Sequence, residues 1–320
     1  MIEVVIPAYN AARFLRETLH CVAAQTVRPG QVTVVDDAST DDTIAVAQAC
    51  AAELRDRIAI QVLRNAGPRG PSAARNTAIR QSSAACIALL DADDILAPGH
   101  HATLLRALDA AKDAVLGFGD STVFKGQSAF DDAAMLVESF FAVSGVAALP
   151  ATAIAPGCFT LGEGMFTALL RNGVFGTSAC LFRREAALAA GLFDETMMQC
   201  EDTDFFLRLA LTGRFVFSRD VVTHKRVHDD NLSHERHKLA FCRGTALSLA
   251  KMTEWPGLSA AQSAALREAF STALDGYLYN ASRTSLPAYW RAASLALRAG
   301  HGARAASPRH LARLALHGFL

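Results

Sequence analysis

Four short strand-like runs, at residues 2–6, 31–35, 58–63 and 86–90, alternate with stretches of helical period through the first hundred residues. After 2–6, apolar Phe14, Leu15, Leu19 and Val22 fall on one helical face, which predicts a helix over 11–25. Thr40-Asp41-Asp42-Thr43 predicts the capped start of a helix to about Arg55, and a third is expected over 72–81. Strands that alternate with helices in this way demand a parallel sheet covered on both faces. In such sheets ligands bind beyond the carboxyl ends of the strands.

Each strand run ends in polar residues. The first gives Pro7-Ala8-Tyr9-Asn10, the second Asp36-Asp37-Ala38-Ser39, and the fourth Asp91-Ala92-Asp93-Asp94. Between them lies 67–76, with Gly67 and Gly70 followed by Arg75 and Asn76. Read singly, these are turns, helix caps and a solvated acidic loop. Their chemistry is nonetheless specific. An Asp after the second strand can accept from a ribose hydroxyl or a base N–H. A glycine-bent helix start with Arg and Asn suits phosphate oxygens. Carboxylates at 91 and 93 can share one hard divalent cation, which takes its remaining oxygens from phosphate and water.

The rest of the chain is less regular. Segment 125–174 is rich in Gly, Ala, Ser and Phe and reads as a partly helical insertion. A strand is expected over 176–182, then helices over 184–190 and 202–212; from about His237 the chain reads as helical. The seven cysteines are scattered with no CxxC pair, which fits reduced thiols better than a disulfide framework or zinc site. No apolar run reaches the length of a bilayer span, and the N-terminus reads directly as a strand.

Read together, VVIPAYNAARFL, VTVVDDASTDDT, GPSAARNTAI and LLDADDILAP resemble the family 2 glycosyltransferases, nucleotide-sugar enzymes of the GT-A fold. GTSACLFRREAALAAGLFDE, CEDTDFFLRLALTG and KRVHDDNLS extend the resemblance to about residue 235, with a weak stretch near 125–174. It implies an α/β fold: a single Rossmann-like GT-A domain over 1–236, with a mixed, mostly parallel sheet, followed by a helical region over 237–320. Within the domain, 1–100 would be the nucleotide-binding half and 101–236 the acceptor half.

The resemblance also assigns residues. Pro7, Ala8 and Tyr9 would pack around the base, and Asp37 would bond its N–H. Arg75 and Asn76 would lie near the donor's sugar or phosphates, Asp91 and Ala92 near the ribose, and Asp93 would hold Mn²⁺ or Mg²⁺, with His228 a further metal candidate. Asp202 of the Glu201-Asp202 pair would be the catalytic base, and Arg226, His228, Asn231 and Ser233 would form a basic motif near the diphosphate. The implied reaction moves a sugar with inversion from a nucleotide-diphospho-sugar, a UDP-sugar favoured, to a glycan or lipid-linked acceptor in surface polysaccharide synthesis.

Two other classes are open: a sugar nucleotidyltransferase and a non-catalytic nucleotide-sugar-binding module. The first lacks an N-terminal Gly-rich loop with a basic residue, and the intact carboxylate pairs weigh against the second. An NAD-dependent dehydrogenase is disfavoured, because no G-x-G-x-x-G follows the first strand.

Charge is unevenly placed. Residues 281–320 carry six arginines and no acid, while 1–280 hold 25 Lys and Arg against 31 Asp and Glu, a net −6. No nucleic-acid partner is expected. The Arg-rich tail, interleaved with Tyr289, Trp290 and leucines, predicts contact with an anionic membrane surface. The expected location is cytoplasmic, peripheral on the inner face of the plasma membrane.

Overall fold

In a computed structural model the described residues are 1–126, 135–162, 164–171, 173–229, 231 and 235–316. They form two compact units, the first Met1–Met198 with Phe205–His228, the second Gln199–Asp204 with Asp229–Leu320.

The first unit begins as four parallel strands with intervening helices: β1 (Ile2–Ala8), α1 (Leu15–Ala23), β2 (Gln31–Asp36), α2 (Thr43–Leu54), β3 (Ile60–Arg64), α3 (Pro71–Gln81) and β4 (Cys86–Leu89). Then come β5 (Ile95–Leu96), α4 (His100–Asp109), β6 (Ala114–Lys125), β7 (Met135–Val137), α5 (Phe140–Ser144), β8 (Thr152–Ala155), β9 (Cys158–Thr160), α6 (Gly164–Arg171), β10 (Cys180–Arg183), α7 (Arg184–Ala189), α8 (Glu201–Leu209) and β11 (Arg214–Val227). The sheet runs β3-β2-β1-β4-β10-β6-β11-β9-β8, with β5 added on β11 and β7 on β6.

β1, β2, β3 and β4 pair in parallel; β10 lies antiparallel to both β4 and β6, and β6 and β11 are parallel. The sheet is therefore mixed. β1 is buried on both faces, as its largely apolar sequence requires, and its one charged residue, Glu3, accepts from Thr33 Oγ1 at 2.6 Å. Register sets Ala8 beside Asp36, so the turns after β1 and β2 emerge side by side. The Leu90 amide bonds the Val5 carbonyl, which carries the end of β4 to the same edge.

Several expected elements are corrected. The helix expected over 11–25 spans only Leu15–Ala23. The amides of Asn10, Ala11 and Ala12 are instead bonded by Ser39 Oγ, Thr43 Oγ1 and Asp41 Oδ2, which spends them on the start of α2. That start is itself capped by Asp41, which accepts the Thr43 amide at 3.0 Å. Segment 125–174 contains strand as well as helix: β8 and β9 form an antiparallel hairpin that joins the sheet edge through Phe159 against Phe217. Only Cys180–Arg183 is strand in 176–182, preceded by a 3-10 turn at Thr177–Ala179.

Stacked phenylalanines build the second part of this core. Phe118 stacks on Phe175 at 4.5 Å and on Phe217 at 5.2 Å, and Phe193 stacks on Phe205 at 4.2 Å. Offset and edge contacts of this kind add to burial.

In the second unit follow α9 (Lys238–Met252), α10 (Ala260–Ser282), α11 (Leu286–Arg298), α12 (Gly302–Ala305) and α13 (Pro308–Leu316). Ser259 and Gln262 form a full capping box at α10, and Ser285 caps α11, where Pro287 sits in the first turn. Among the described residues no helix is long and apolar enough to cross a membrane.

Candidate functional site

The carboxyl ends of β1, β2 and β4 hold the polar residues singled out in the sequence. Asp37 follows β2, and its amide bonds the Ala8 carbonyl. Its carboxylate is nearly buried and accepts from Asn65 Nδ2 at 2.6 Å and the Gly70 amide at 2.8 Å. Asp37 thus suspends the 65–70 loop from the end of β2. Gly70 sits at φ +130°, a backbone state that favours glycine, and it starts α3. Pro7 and Ala8 close β1, and Tyr9 beyond them is 54% exposed with the Arg69 guanidinium 5.2 Å over its ring.

α3 carries Arg75 and Asn76 inward, both buried. Arg75 Nη2 meets Asp91 Oδ1 at 2.9 Å, so the two members of the expected donor site are paired. Asn76 is used differently. Its Nδ2 donates to the Phe193 carbonyl and to Glu195 Oε1, and its Oδ1 accepts the Phe193 amide. The structure places this amide in the 193–195 turn.

The 91–94 loop is held from three sides. Ser178 Oγ accepts the Asp91 amide at 3.0 Å and donates to Asp94 Oδ2 at 2.7 Å. Thr18 Oγ1 reaches the carbonyls of Ala92 and Asp94, both at 3.0 Å. Arg226, 1% exposed, donates its amide to Asp94 Oδ1 at 3.0 Å and its Nε to the Asp93 carbonyl at 2.9 Å. Its Nη1 bonds the Gly126 carbonyl, and its Nη2 pairs with Glu17 at 2.6 Å. Phe14 and Phe124 bracket the guanidinium at 4.8 and 4.6 Å. Burial and the neighbouring Asp93 and Asp91 push the Asp94 carboxyl well above the usual range.

β11 delivers Arg226 and His228 because it pairs with β5, Thr223 against Leu96 and His224 against Ile95. His228 Nε2 lies 2.8 Å from Asp93 Oδ2, and its ring packs tilted on Phe14 at 4.9 Å. Asp91, by contrast, faces Arg75.

Glu201 and Asp202 belong to the second unit and open α8. Asp202 Oδ1 accepts the amide of Thr203 at 2.7 Å, so the residue lies inside the first turn rather than ahead of the helix. Cys200, immediately before the pair, is held at φ +59°, which is strained for a side-chain-bearing residue. Its Sγ contacts Thr245 Oγ1 at 3.2 Å, and burial pushes the thiol up to about 12. Asp204, fully buried, meets Lys251 Nζ at 2.9 Å. Ser233 lies outside the described residues.

Sequence reasoning missed Ser178, Thr18 and Arg69. Ser178 sits in GTSAC, a motif that was noticed for its strand and not for its hydroxyl. Thr18 looks like any polar position in an amphipathic helix. The roles of Arg226 and Asn76 as internal fasteners were equally hidden, since their partners lie more than a hundred residues away.

Residues 3–130 match the family model for Glycosyl transferase family 2. The succinoglycan biosynthesis protein ExoU of Rhizobium meliloti is 32% identical over 212 residues, which are 66% of this chain and 57% of ExoU. The alignment therefore covers less than two thirds of that relative's length. Among solved structures, S. aureus TarS in complex with UDP-GlcNAc superposes with a TM-score of 0.66 at 18% identity, covering 98% of this chain and 83% of that one. The mannosyltransferase PcManGT from Pyrobaculum calidifontis, in complex with GDP-Man and Mn²⁺, gives 0.58 at 20% identity, covering 99% and 84%. At these identities the structural likeness speaks for the fold. Residues 3–130 therefore carry the sequence signature of glycosyl transferase family 2, on a mixed sheet of the order described above.

Proposed function

We propose that this protein transfers a sugar, with inversion, from a nucleotide-diphospho-sugar to a hydroxyl of a glycan or lipid-linked acceptor in surface polysaccharide synthesis. A UDP-sugar is the favoured donor. The observation that carries the reading is the gathering of Asp37, Arg75, Asp91 and Asp93 at the carboxyl edge of β1, β2 and β4. ExoU's name and the UDP-GlcNAc in TarS point the same way.

Each residue then has a task that its surroundings support. Asp37 keeps lone pairs beyond those given to Asn65 and Gly70 and can accept a base N–H. Tyr9, exposed beside it, offers a ring face. Asp91, half open and already oriented by Arg75, can take the ribose hydroxyls. Arg75 would add a cation near the departing diphosphate.

The family implies a divalent cation, and the donor set can be tested for it. No group of three or more metal-binding side chains exists among the described residues. Asp93 and His228, with Oδ2 and Nε2 2.8 Å apart, supply one carboxylate oxygen and one imidazole nitrogen. That suits a cation such as Mn²⁺ that draws its other ligands from diphosphate and water. A bound cation would supply charge that stabilises the leaving diphosphate. Asp202 would take the proton of the attacking hydroxyl, a poor nucleophile near neutral pH until it is deprotonated.

The deciding experiment is a thermal-shift panel of UDP, GDP and ADP, each with and without Mn²⁺, followed by identification of the released product. UDP with Mn²⁺ is expected to raise the melting temperature most, because a ligand that binds only the folded state stabilises it by mass action. Release of UDP from a UDP-sugar supports transfer. Release of pyrophosphate, or a larger shift with GDP, would overturn the donor assignment.

A further inference from the structure

The second unit contains a groove of about 360 Å³ formed by α9, α10 and α11. Arg243 of α9 and Arg291 and Arg298 of α11 line it, together with Tyr277, Trp290 and Leu295, and no Asp or Glu takes part. Elsewhere in this unit Lys238 meets Glu235 and Arg304 meets Asp275. Among the described residues the three groove arginines have no such acid partner. Burial pushes the Tyr277 phenol up, and Arg243 and Arg291 pull it back, which places both cations near the groove floor.

Helical spacing sorts α11 into two adjoining faces. Arg291 and Arg298, seven residues apart, share the groove face, with buried Leu295 between them. Trp290 and Leu297, also seven apart, share the neighbouring face and are 60% and 62% exposed. A large aromatic and a leucine left in solvent beside three unneutralised guanidiniums is an expensive arrangement for a surface that touches only water. Like charges gathered in one concavity repel until an anion enters, and guanidinium binds phosphate oxygens with two parallel hydrogen bonds. Trp beside Arg fits the headgroup level of a bilayer, where the ring is half in hydrocarbon and the charge meets anionic lipid.

We propose that this groove is a membrane-docking site, in which Arg243, Arg291 and Arg298 hold the phosphate of an anionic lipid headgroup while Trp290 and Leu297 enter the interface. The site gives the arginine-rich tail a defined partner and a defined orientation. Binding there needs neither donor nor acceptor, so it stands or falls apart from the transfer reaction.

The test is co-sedimentation of the full chain with vesicles of phosphatidylcholine and phosphatidylglycerol in equal parts, against phosphatidylcholine alone. Binding is expected to the mixed vesicles only, and to weaken with added salt. Arg291→Ala with Arg298→Ala should lower the partition about tenfold or more. Arg267→Ala with Arg309→Ala, which removes the same charge at exposed positions outside the groove, should leave it nearly unchanged. Ser294→Asp, on the groove wall, adds an anion without truncating an arginine and should also abolish binding. In a Trp255→Phe background Trp290 is the sole tryptophan, and its emission should shift to the blue on mixed vesicles. Equal loss in the control pair, unchanged binding of the groove variants by folded protein, or equal affinity for neutral vesicles would overturn the proposal. So would a Trp290 response to inorganic pyrophosphate with none to vesicles, which would make the ligand a soluble phosphate.

Discussion

Arg226 donates its Nε–H to the main-chain carbonyl of Asp93 at 2.9 Å, so the loop that presents the central carboxylate is fastened by a guanidinium more than a hundred residues away. The same strand end brings His228 to the Asp93 side chain. A single element, β11, therefore sets both the backbone and the carboxylate of this aspartate.

Replacing that fastener should cost stability and activity together. Arg226→Leu leaves the carbonyls of Asp93 and Gly126 without their donor, and is expected to lower unfolding free energy by about 2–4 kcal/mol. Arg226→Lys keeps the charge but loses the planar fork, and should recover only part of it. Urea unfolding and donor turnover, measured on both variants, check this. A Lys variant indistinguishable from wild type would show that charge alone matters.

Ser178→Ala removes the bridge between the Asp91 amide and Asp94 Oδ2. The expected loss is about 1–3 kcal/mol, with the loop loosened rather than removed. Donor KM should rise more than kcat falls. An unchanged KM would mean that Thr18 and Arg226 hold the loop without help.

Asp93→Asn and Asp202→Asn should each abolish transfer while leaving far-UV circular dichroism unaltered. For a general base the expected drop at Asp202 is about 10²–10⁴-fold. At Asp93, nucleotide-induced stabilisation in the presence of Mn²⁺ should disappear with the turnover. Wild-type turnover in both purified variants would remove the site assignment.

Acid should weaken the fold through a histidine pair at the start of α4. His100 and His101 are fully buried, and burial lowers His101 from 6.5 to about 4. His101 Nδ1 lies 2.8 Å from the Val27 carbonyl. Below pH 6.5 the unfolded chain takes up a proton that the folded chain refuses until about 4, so stability is full above 6.5 and falls through that window. The linked loss reaches about 3 kcal/mol. His101→Asn should flatten the dependence of urea midpoint on pH between 7 and 4.5, roughly the window set by that shift; an unchanged slope would place the acid sensitivity elsewhere.

The first hundred residues were legible in sequence because their strands are short, apolar and cleanly punctuated. β1, broken only by Glu3, and β4 are hydrophobic runs, and their polar ends form the candidate site. The two longest strands gave no such signal. β6 is interrupted by Gly117, Gly119 and Asp120, and β11 by Arg219 and Asp220, where its pairing with β6 slips register. A bulged strand with charges at the slip has no clean period of two. The start of α1 differs for a local reason: side chains from 39–43 bond the amides of Asn10, Ala11 and Ala12 and tie this stretch to the start of α2, and the helix begins at Leu15. The family resemblance named Asp93, Arg226 and His228, but which of them would face a ligand and which another residue depends on long-range pairing.

The bond from the Gly70 amide to Asp37 has a consequence for anyone dissecting donor choice by mutation. The carboxylate proposed to read the base is also the hook on which the glycine loop and the start of α3 hang. Arg75, on the second turn of that helix, inherits its position from the hook. Asp37→Ala would therefore blur two defects, lost base selectivity and a displaced phosphate-side cation, into one phenotype. Asp37→Asn does not separate them either, because its single oxygen can accept from Asn65 or from Gly70 but not from both.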